Sequence, residues 1–342
     1  MNEEFNFNEE ITMSEEERKR HKGVFSKLCF VLLTNLLLIN VLAFVGWWII
    51  TEYFPQYSES YNASLLMSSV IQYLIAFPIF IYMMKKIPAS APQENKLSAK
   101  RFIKYVLISM FVMYVGNYLS TIVLTYIESL FNIVPENTLN TMMSNTDIVL
   151  SVAFVGIIGP IIEELMFRKL LIDRLTPYGD LIAIIVPSLI FGLFHGNLYQ
   201  FFYAFFLGMA FSYVYLRSGK IIYSISIHMF INIFCGIFPS VIMSMMDIEE
   251  FLELSMAGTL TDEYILANAT PLVLLVVYEF VMLGMVFAGV FMLTRNLRNL
   301  RFNKGEVRFP KGTLLETVFF NVGTVALITV CIILMAINTF SV

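Results

Sequence analysis

Hydrophobic residues occupy long, nearly unbroken runs of this 342-residue chain, and short polar segments separate them. A run of about 20 apolar residues is long enough to cross a bilayer as a helix. Backbone groups in lipid must hydrogen-bond within the chain, so such runs predict helices. The pattern predicts an all-α polytopic membrane protein with about nine transmembrane helices, at residues 29–50, 63–84, 102–126, 148–168, 181–197, 199–216, 221–241, 271–294 and 315–338.

The composition agrees with the membrane class and excludes some partners. The chain is 58% hydrophobic and 14% charged, which makes a lipid bilayer its expected surroundings. Its formal net charge of −4 argues against nucleic-acid binding. Cys29, Cys235 and Cys331 lie far apart inside apolar runs, so they indicate neither a disulfide framework nor a cysteine metal site. Composition leaves the oligomeric state open.

The distribution of charge predicts how the spans are oriented. The segments 51–62, 127–147 and 242–270 contain no Lys or Arg but several carboxylates, as expected of extracytoplasmic loops. With nine spans, the Lys and Arg clusters fall on the predicted cytoplasmic side, and Arg168 lies at the inner end of span four. We therefore predict a multi-pass cell-membrane protein with a cytoplasmic N-terminus and an extracytoplasmic C-terminus. The basic clusters lie at 18–27, 85–104, 169–174, 217–220 and 295–311.

Five parts follow from these boundaries. Residues 1–28 form a polar tail without the early apolar core of a cleavable signal peptide, and we expect it to be disordered and cytoplasmic. The other parts are spans one to three at 29–126, a core of spans four to seven at 145–241, an acidic extracytoplasmic loop at 242–270, and spans eight and nine at 271–342.

The stretch "GPIIEELMFRKLL" places Glu163, Glu164 and Arg168 at the inner end of the fourth predicted span. Charges at membrane depth are costly and are usually functional. Residues four apart share a helix face, so Glu164 and Arg168 are expected to pair, while Glu163 points elsewhere. One arginine cannot fully neutralise two carboxylates. Glu163 is therefore the candidate for acid or base chemistry.

Two of the three histidines also lie inside predicted spans. His195 shares a helix face with Phe191 in "FGLFH", and His228 shares one with Asn232 in "HMFIN". Such groups can simply lock helices together. Taken with the glutamates, however, they are the groups that activate a water and stabilise an oxyanion. Glu279 is a further carboxylate in a predicted span, and the sequence indicates no role for it.

The three stretches resemble an ordered set of family motifs. "EELMFR" fits EExxxR, "FGLFH" fits FxxxH and "HMFIN" fits HxxxN. These are the motifs of the CPBP family of intramembrane endopeptidases, which includes CAAX prenyl proteases and bacteriocin-processing enzymes and is also called the Abi family. The resemblance covers roughly residues 145–240. It implies a catalytic cavity that opens toward the cytosol.

The resemblance also implies a role for each matching residue. Glu163 would be the general base that activates the attacking water, helped by His195. His228 and Asn232 would hold the oxyanion of the tetrahedral intermediate. The remaining motif residues would have supporting roles: Glu164, Arg168 and Phe191.

The need for a metal is a separate question. Glu163, His195 and His228 could bind zinc, and the family has been described both as metalloproteases and as glutamate-dependent proteases. The usual HExxH signature is absent. If His228 and Asn232 serve the oxyanion, only two ligands remain, whereas catalytic zinc normally has three protein ligands. The sequence favours no metal cofactor, with zinc as the alternative.

The predicted function is that of an intramembrane endopeptidase, a hydrolase that cuts a membrane-associated peptide or protein near the cytosolic side. Peptide maturation, cleavage of a lipidated C-terminus and bacteriocin self-immunity are all compatible with this activity. The alternative is a non-catalytic membrane scaffold or immunity protein that binds a toxin or a sensor kinase. A transporter would need ionisable residues across the full depth, whereas here they gather on spans four to seven.

Overall fold

The computed structural model describes residues 13–132 and 138–340, and it confirms an all-α polytopic membrane protein. In that part of the chain the only β pairing is an isolated bridge between Gly179 and Lys304. The helices are α1 (Glu15–Tyr53), α2 (Tyr61–Met84), α3 (Ala99–Phe131), α4 (Thr138–Asn145), α5 (Ile148–Tyr178), α6 (Asp180–Phe194), α7 (Leu198–Ser218), α8 (Ile221–Met243), α9 (Ile248–Ala257), α10 (Asp262–Ala267), α11 (Ala269–Asn299), α12 (Thr313–Phe319) and α13 (Val322–Phe340).

The number of membrane-spanning helices differs from the predicted nine. Within the described residues, seven helices are long and apolar enough to cross a membrane: α1, α2, α3, α5, α8, α11 and α13. The fifth and sixth predicted spans are α6 and α7, which form a hairpin inside the bundle. Helix α6 has 15 residues, or about 22 Å at 1.5 Å per residue, too short for a span. Helix α7 carries four tyrosines and Gln200, which lower its hydropathy.

The N-terminal tail is not disordered over all of residues 1–28, because α1 already begins at Glu15. Ser14 and Glu17 form a reciprocal capping box that stabilises this helix start. Phe25 lies one turn before the apolar run and is buried. Arg18 forms a 3.1 Å ion pair with Glu316, which fixes the first turns of α1 to α12. Residues 1–12 lie outside the described residues.

Two other boundaries also differ from the prediction. The predicted acidic loop at 242–270 is largely helical, because it contains α9 and α10. Asp247 and Thr261 cap these two helices with their side chains, a local signal that a hydropathy pattern does not register. The ninth predicted span is interrupted at Phe320, where α12 ends before α13 begins.

Helices α2, α5 and α8 contain widened π-type turns, at Val70–Ala76, Ser151–Ile158, Leu165–Ile172 and Asn232–Ile237. Three of these four turns end shortly before a proline, namely Pro78, Pro160 and Pro239. Proline has no N–H and its ring clashes with the preceding turn, so the helix widens there. The residue before each proline accordingly bonds to the carbonyl five residues back, as Gly159 does to Phe154.

Glycines allow the closest contacts between helices. A Cβ atom at Gly116 in α3 would lie 2.4 Å from the Cα atom of Tyr203 in α7, whereas a Cβ atom at Gly284 would meet nothing within 4 Å. Small residues let helix backbones approach closely in membranes. The contact between α3 and α7 therefore depends on Gly116.

We expect Gly116→Ala to destabilise the protein by about 1–3 kcal/mol, because the added methyl group has to push two backbones apart. Gly284→Ala is the matched control and should be neutral or slightly stabilising, because alanine favours helix over glycine. Thermal unfolding in a mild detergent measures both effects. Equal melting temperatures for the two variants would contradict the close contact.

The two ends of the bundle differ in charge. At one end, here called the basic end, Asp180 forms an ion pair with Arg217, and Arg174 donates to the carbonyl of Met84 at 3.0 Å. At the opposite end, the acidic end, the N–H of Asp147 donates to the side chain of Asn62 at 2.8 Å. The basic end gathers the Lys- and Arg-rich segments, and the acidic end carries α4, α9 and α10.

Candidate active site

The structure places Glu164 and Arg168 in contact at the centre of the bundle. Both side chains are fully buried, and Oε1 of Glu164 lies 3.3 Å from Nη1 of Arg168. The guanidinium also lies over the rings of Phe191 and Phe211, with 4.6 and 5.3 Å from its Cζ atom to the ring centroids. A buried charge is tolerated when it is paired and packed in this way. This pair anchors α5 against α6 and α7.

Glu163 has a different environment although it is the next residue. Its side chain is 26% exposed and lines a central cavity. His228 lies between the two glutamates, with Nδ1 3.1 Å from Oε1 of Glu164 and Nε2 3.6 Å from Oε2 of Glu163. The first distance is a hydrogen bond and the second is too long for one. The Nε2 side of His228 is therefore available to a molecule in the cavity.

The hydrogen bonding of His195 defines which of its nitrogens faces the cavity. Its Nδ1 lies 2.8 Å from the carbonyl oxygen of Phe191. A carbonyl can only accept, so Nδ1 carries the hydrogen. In the neutral ring, Nε2 then has a free lone pair, and the residue lines the same cavity as Glu163. Such a nitrogen can accept a proton from a water or bind a metal.

Asn232 has a structural contact that its sequence motif does not reveal. Its Nδ2 donates to the carbonyl oxygen of Val155 at 2.9 Å. In the widened turn that carbonyl would bond to the N–H of residue 160, but residue 160 is proline. Asn232 thus replaces the bond that Pro160 cannot make. The amide has a second N–H, and Asn232 also lines the cavity.

One cavity of about 860 Å³ brings together Glu163, His195, His228 and Asn232. This volume is in the usual range of ligand sites, about 300–1,000 Å³. The family resemblance implied an opening toward the cytosol. None of the Lys or Arg residues of the basic end lines the cavity. The cavity extends toward the acidic end instead, where Met143 of α4 and Met243 of α8 line it.

The donor set does not form a ready metal site. Among residues 13–132 and 138–340, no group of three or more His, Cys, Asp or Glu side chains is arranged to hold a metal ion. The three residues of the zinc alternative all approach the cavity, but His228 already uses one nitrogen on Glu164. The preference for a metal-free mechanism stays a prediction.

Two aromatic residues near the site were not predicted from the sequence. Phe211 of α7 packs against His228, with ring centroids 5.0 Å apart. Tyr203 of the same helix lies beside His195, with ring centroids 6.4 Å apart. Aromatic residues are abundant in every span, so nothing in the sequence distinguishes these two. Glu279 lies on the exposed surface of α11 and is not among the residues that line the cavity.

Comparison with known proteins identifies the part of the chain that contains the three motifs. A family model for Rce1-like type II CAAX prenyl endopeptidases matches residues 145–234, which contain all three motifs. The membrane-embedded CAAX protease MroQ of Staphylococcus aureus (strain USA300) is 31% identical over 196 residues, which cover 54% of this chain and 78% of MroQ. This chain belongs to the Rce1-like family of CAAX endopeptidases.

A second relative matches a shorter part of the chain. The YdiL protein of Bacillus subtilis (strain 168) is 31% identical over 99 residues, or 29% of this chain and 38% of YdiL. No solved structure matches the chain at the same level of significance. Membership of the Rce1-like family confirms the resemblance that the motifs indicated and supports a membrane protease.

Proposed function

We propose that this protein is an intramembrane endopeptidase that hydrolyses a peptide bond of a membrane-associated peptide or protein. The observation that carries the proposal is the difference between adjacent glutamates: Glu164 is neutralised by Arg168, whereas Glu163 faces a cavity together with His195. In the reaction, a water adds its hydroxyl to the carbonyl carbon and a proton to the leaving amine nitrogen.

Glu163 is the proposed general base. Its carboxylate and the Nε2 lone pair of His195 are both acceptors facing one cavity, so a water between them can donate to both. Glu163 takes the proton as the water attacks and then returns it to the leaving amine. No step requires a metal ion. Zinc, if it bound, would have to use Glu163, His195 and His228 and would activate the same water.

His228 and Asn232 are the proposed oxyanion donors. With Glu163, Glu164 and Arg168 charged, the cluster has a net charge of −1, and a protonated His228 brings it to zero. His228 then donates its Nδ1 hydrogen to Glu164 and keeps its Nε2 hydrogen for the oxyanion. The second N–H of Asn232 supplies the other donor.

The orientation follows from the charge difference between the ends. We infer that the basic end faces the cytoplasm, because Lys and Arg concentrate on that side of most membrane proteins. The N-terminus would then be cytoplasmic and the C-terminus extracytoplasmic.

The direct test is hydrolysis by the purified chain in lipid nanodiscs, with a panel of membrane-anchored and lipidated peptides and mass spectrometry of the products. We expect new peptide termini with the wild type, none with Glu163→Gln, and no effect of a strong chelator. Loss of activity with the chelator and recovery with zinc would support the zinc alternative. Equal cleavage by both proteins would refute the role of Glu163. Full cellular function of Glu163→Gln would favour the scaffold.

A variant pair separates the two contacts of Asn232. We expect Asn232→Leu to lower kcat by about 10²–10³ and to destabilise the protein by about 0.5–1.5 kcal/mol through the lost bond to Val155. Adding Pro160→Ala supplies a backbone N–H to that carbonyl. The double variant should regain stability but not activity, which thermal unfolding and kinetics measure separately. Recovery of both would assign Asn232 a purely structural role.

A further inference from the structure

A series of side-chain hydrogen bonds links the start of α7 to Tyr203, whose ring lies beside His195. Asn197 caps α7, because its Oδ1 accepts from the backbone N–H of Gln200 at 2.9 Å. Its Nδ2 donates to the carbonyl oxygen of His195 at 3.0 Å and to Oε1 of Gln200 at 2.7 Å. Nε2 of Gln200 then donates to the hydroxyl oxygen of Tyr203 at 2.8 Å. The turn that carries His195 is thereby connected to Tyr203.

These bonds determine where the hydrogen of the Tyr203 hydroxyl can point. An amide oxygen only accepts and an amide nitrogen only donates, so the orientation of Asn197 sets the orientation of Gln200. The oxygen of Tyr203 is the acceptor in its bond with Gln200, and its own hydrogen is therefore directed elsewhere. Within the part of the chain that the structure describes, no residue accepts this hydrogen. Tyr203 thus has a hydrogen to donate to a molecule in the site.

This donor lies close to the proposed catalytic residues. Tyr203 is partly exposed and lines the same cavity as Glu163 and His195. Its ring centroid is 6.4 Å from that of His195, and its hydroxyl is close enough to Glu163 for the two groups to interact electrostatically. Helix α3 fixes its backbone, because the Cα atom of Tyr203 is the one that packs against Gly116. Tyr203 is therefore held both at its backbone and at its hydroxyl.

Tyr73 of α2 is a second tyrosine whose hydroxyl interacts electrostatically with Glu163. It lines the same cavity, but its hydrogen is directed at the carbonyl oxygen of Phe154, which is 3.5 Å away. No side-chain amide orients this hydroxyl in the way that Gln200 orients Tyr203. Tyr73 is therefore the matched comparison for Tyr203, with the same chemical group in the same cavity.

We propose that Tyr203 is a further catalytic residue, which donates its hydrogen bond to the attacking water. This inference rests on the proposed function and adds a residue to its site. The water donates its two hydrogens to Glu163 and His195, and it has two lone pairs. One lone pair attacks the carbonyl carbon of the substrate, and the other accepts from Tyr203. This third bond aligns the attacking lone pair. Tyr203 keeps its own proton throughout the reaction.

The kinetic test uses the full-length protein in nanodiscs and a peptide from the panel that the wild type cleaves. Tyr203→Phe should lower kcat by about 10–100-fold and leave KM nearly unchanged, because only the bond to the water is lost. Tyr73→Phe is the matched control and should cleave at nearly the wild-type rate. A wild-type kcat in Tyr203→Phe, or an equal loss in both variants, would overturn the inference.

A second variant redirects the hydrogen without removing the hydroxyl. In Gln200→Glu, Nδ2 of Asn197 still has a carboxylate oxygen to donate to, and the other oxygen can only accept. The hydrogen of Tyr203 then turns to that oxygen and away from the water. We expect kcat to fall about as far as in Tyr203→Phe, with no further loss when the two substitutions are combined. Losses that multiply in the double variant would show that Gln200 does not act through Tyr203.

A high-resolution structure in nanodiscs tests the position of the water and does not depend on hydrolysis. An ordered water should lie about 2.6–3.2 Å from Oη of Tyr203, Nε2 of His195 and the carboxylate of Glu163. It should be lost in Tyr203→Phe and retained in Tyr73→Phe. A water that bonds to Glu163 and His195 but not to Tyr203, or no ordered water at all, would refute the role of Tyr203 even if the wild type cleaves peptides. A wild type that cleaves no peptide would instead count against the proposed function.

Discussion

Replacing Glu163 with glutamine is expected to lower the rate of peptide hydrolysis by about 10²–10⁴ and to leave the fold unchanged. Glutamine keeps the size of the side chain but cannot accept a proton from water. The Glu163 side chain is partly exposed in the cavity, and its nearest charged neighbour, Nε2 of His228, is 3.6 Å away. Its loss removes a partly exposed carboxylate and leaves the fully buried pair of Glu164 and Arg168 intact. Kinetics with a cleaved peptide from the panel measure the first effect, and thermal unfolding measures the second.

Glu164→Gln is the matched control, because it makes the same chemical change at the neighbouring residue. It removes the charge that pairs with Arg168 and leaves a buried guanidinium without its partner. We expect a clear loss of stability in Glu164→Gln and almost none in Glu163→Gln. If the two variants lost stability equally, the division of roles between adjacent glutamates would be wrong.

This division of roles is the part of the site that the sequence predicts best. Helical periodicity alone placed Glu164 and Arg168 on one face and Glu163 on another, and the structure has Glu164 buried against Arg168 with Glu163 at the cavity. The motifs likewise identified four side chains that line one cavity. The relative orientation of residues close together on one helix is fixed by helical periodicity, so it can be predicted from the sequence alone.

Other features depend on contacts that a hydropathy pattern does not contain. The hairpin of α6 and α7 resembles two spans in the sequence because its residues are buried in protein instead of lipid, and both environments select apolar residues. The contact between Asn232 and Val155 exists because of Pro160, which lies 72 residues earlier in the chain. Pro160 is visible in the sequence, but its effect on a distant asparagine depends on packing.

The direction of the cavity is a further example. The sequence contains Asn35 and Ser120 as isolated polar residues in different apolar runs, and each would pass as a local helix contact. Only packing brings them to one cavity wall without partners. The family resemblance implied the catalytic groups and an opening toward the cytosol, whereas packing decides that the cavity extends toward the acidic end.

Replacing Arg168 with methionine is expected to destabilise the protein by roughly 3–5 kcal/mol, because Glu164 is then buried without its main counter-charge. Denaturant or thermal unfolding in detergent measures the loss.

The double variant Glu164→Leu with Arg168→Met replaces both charges by apolar groups of similar size, and it should recover most of the stability. It should nevertheless stay inactive, because His228 has lost the carboxylate that holds its Nδ1. A stable Arg168→Met protein would show that the pair is not needed for folding. An active double variant would show that Glu164 does not position His228. The expected combination, a restored fold without activity, would separate the two contributions of one buried carboxylate.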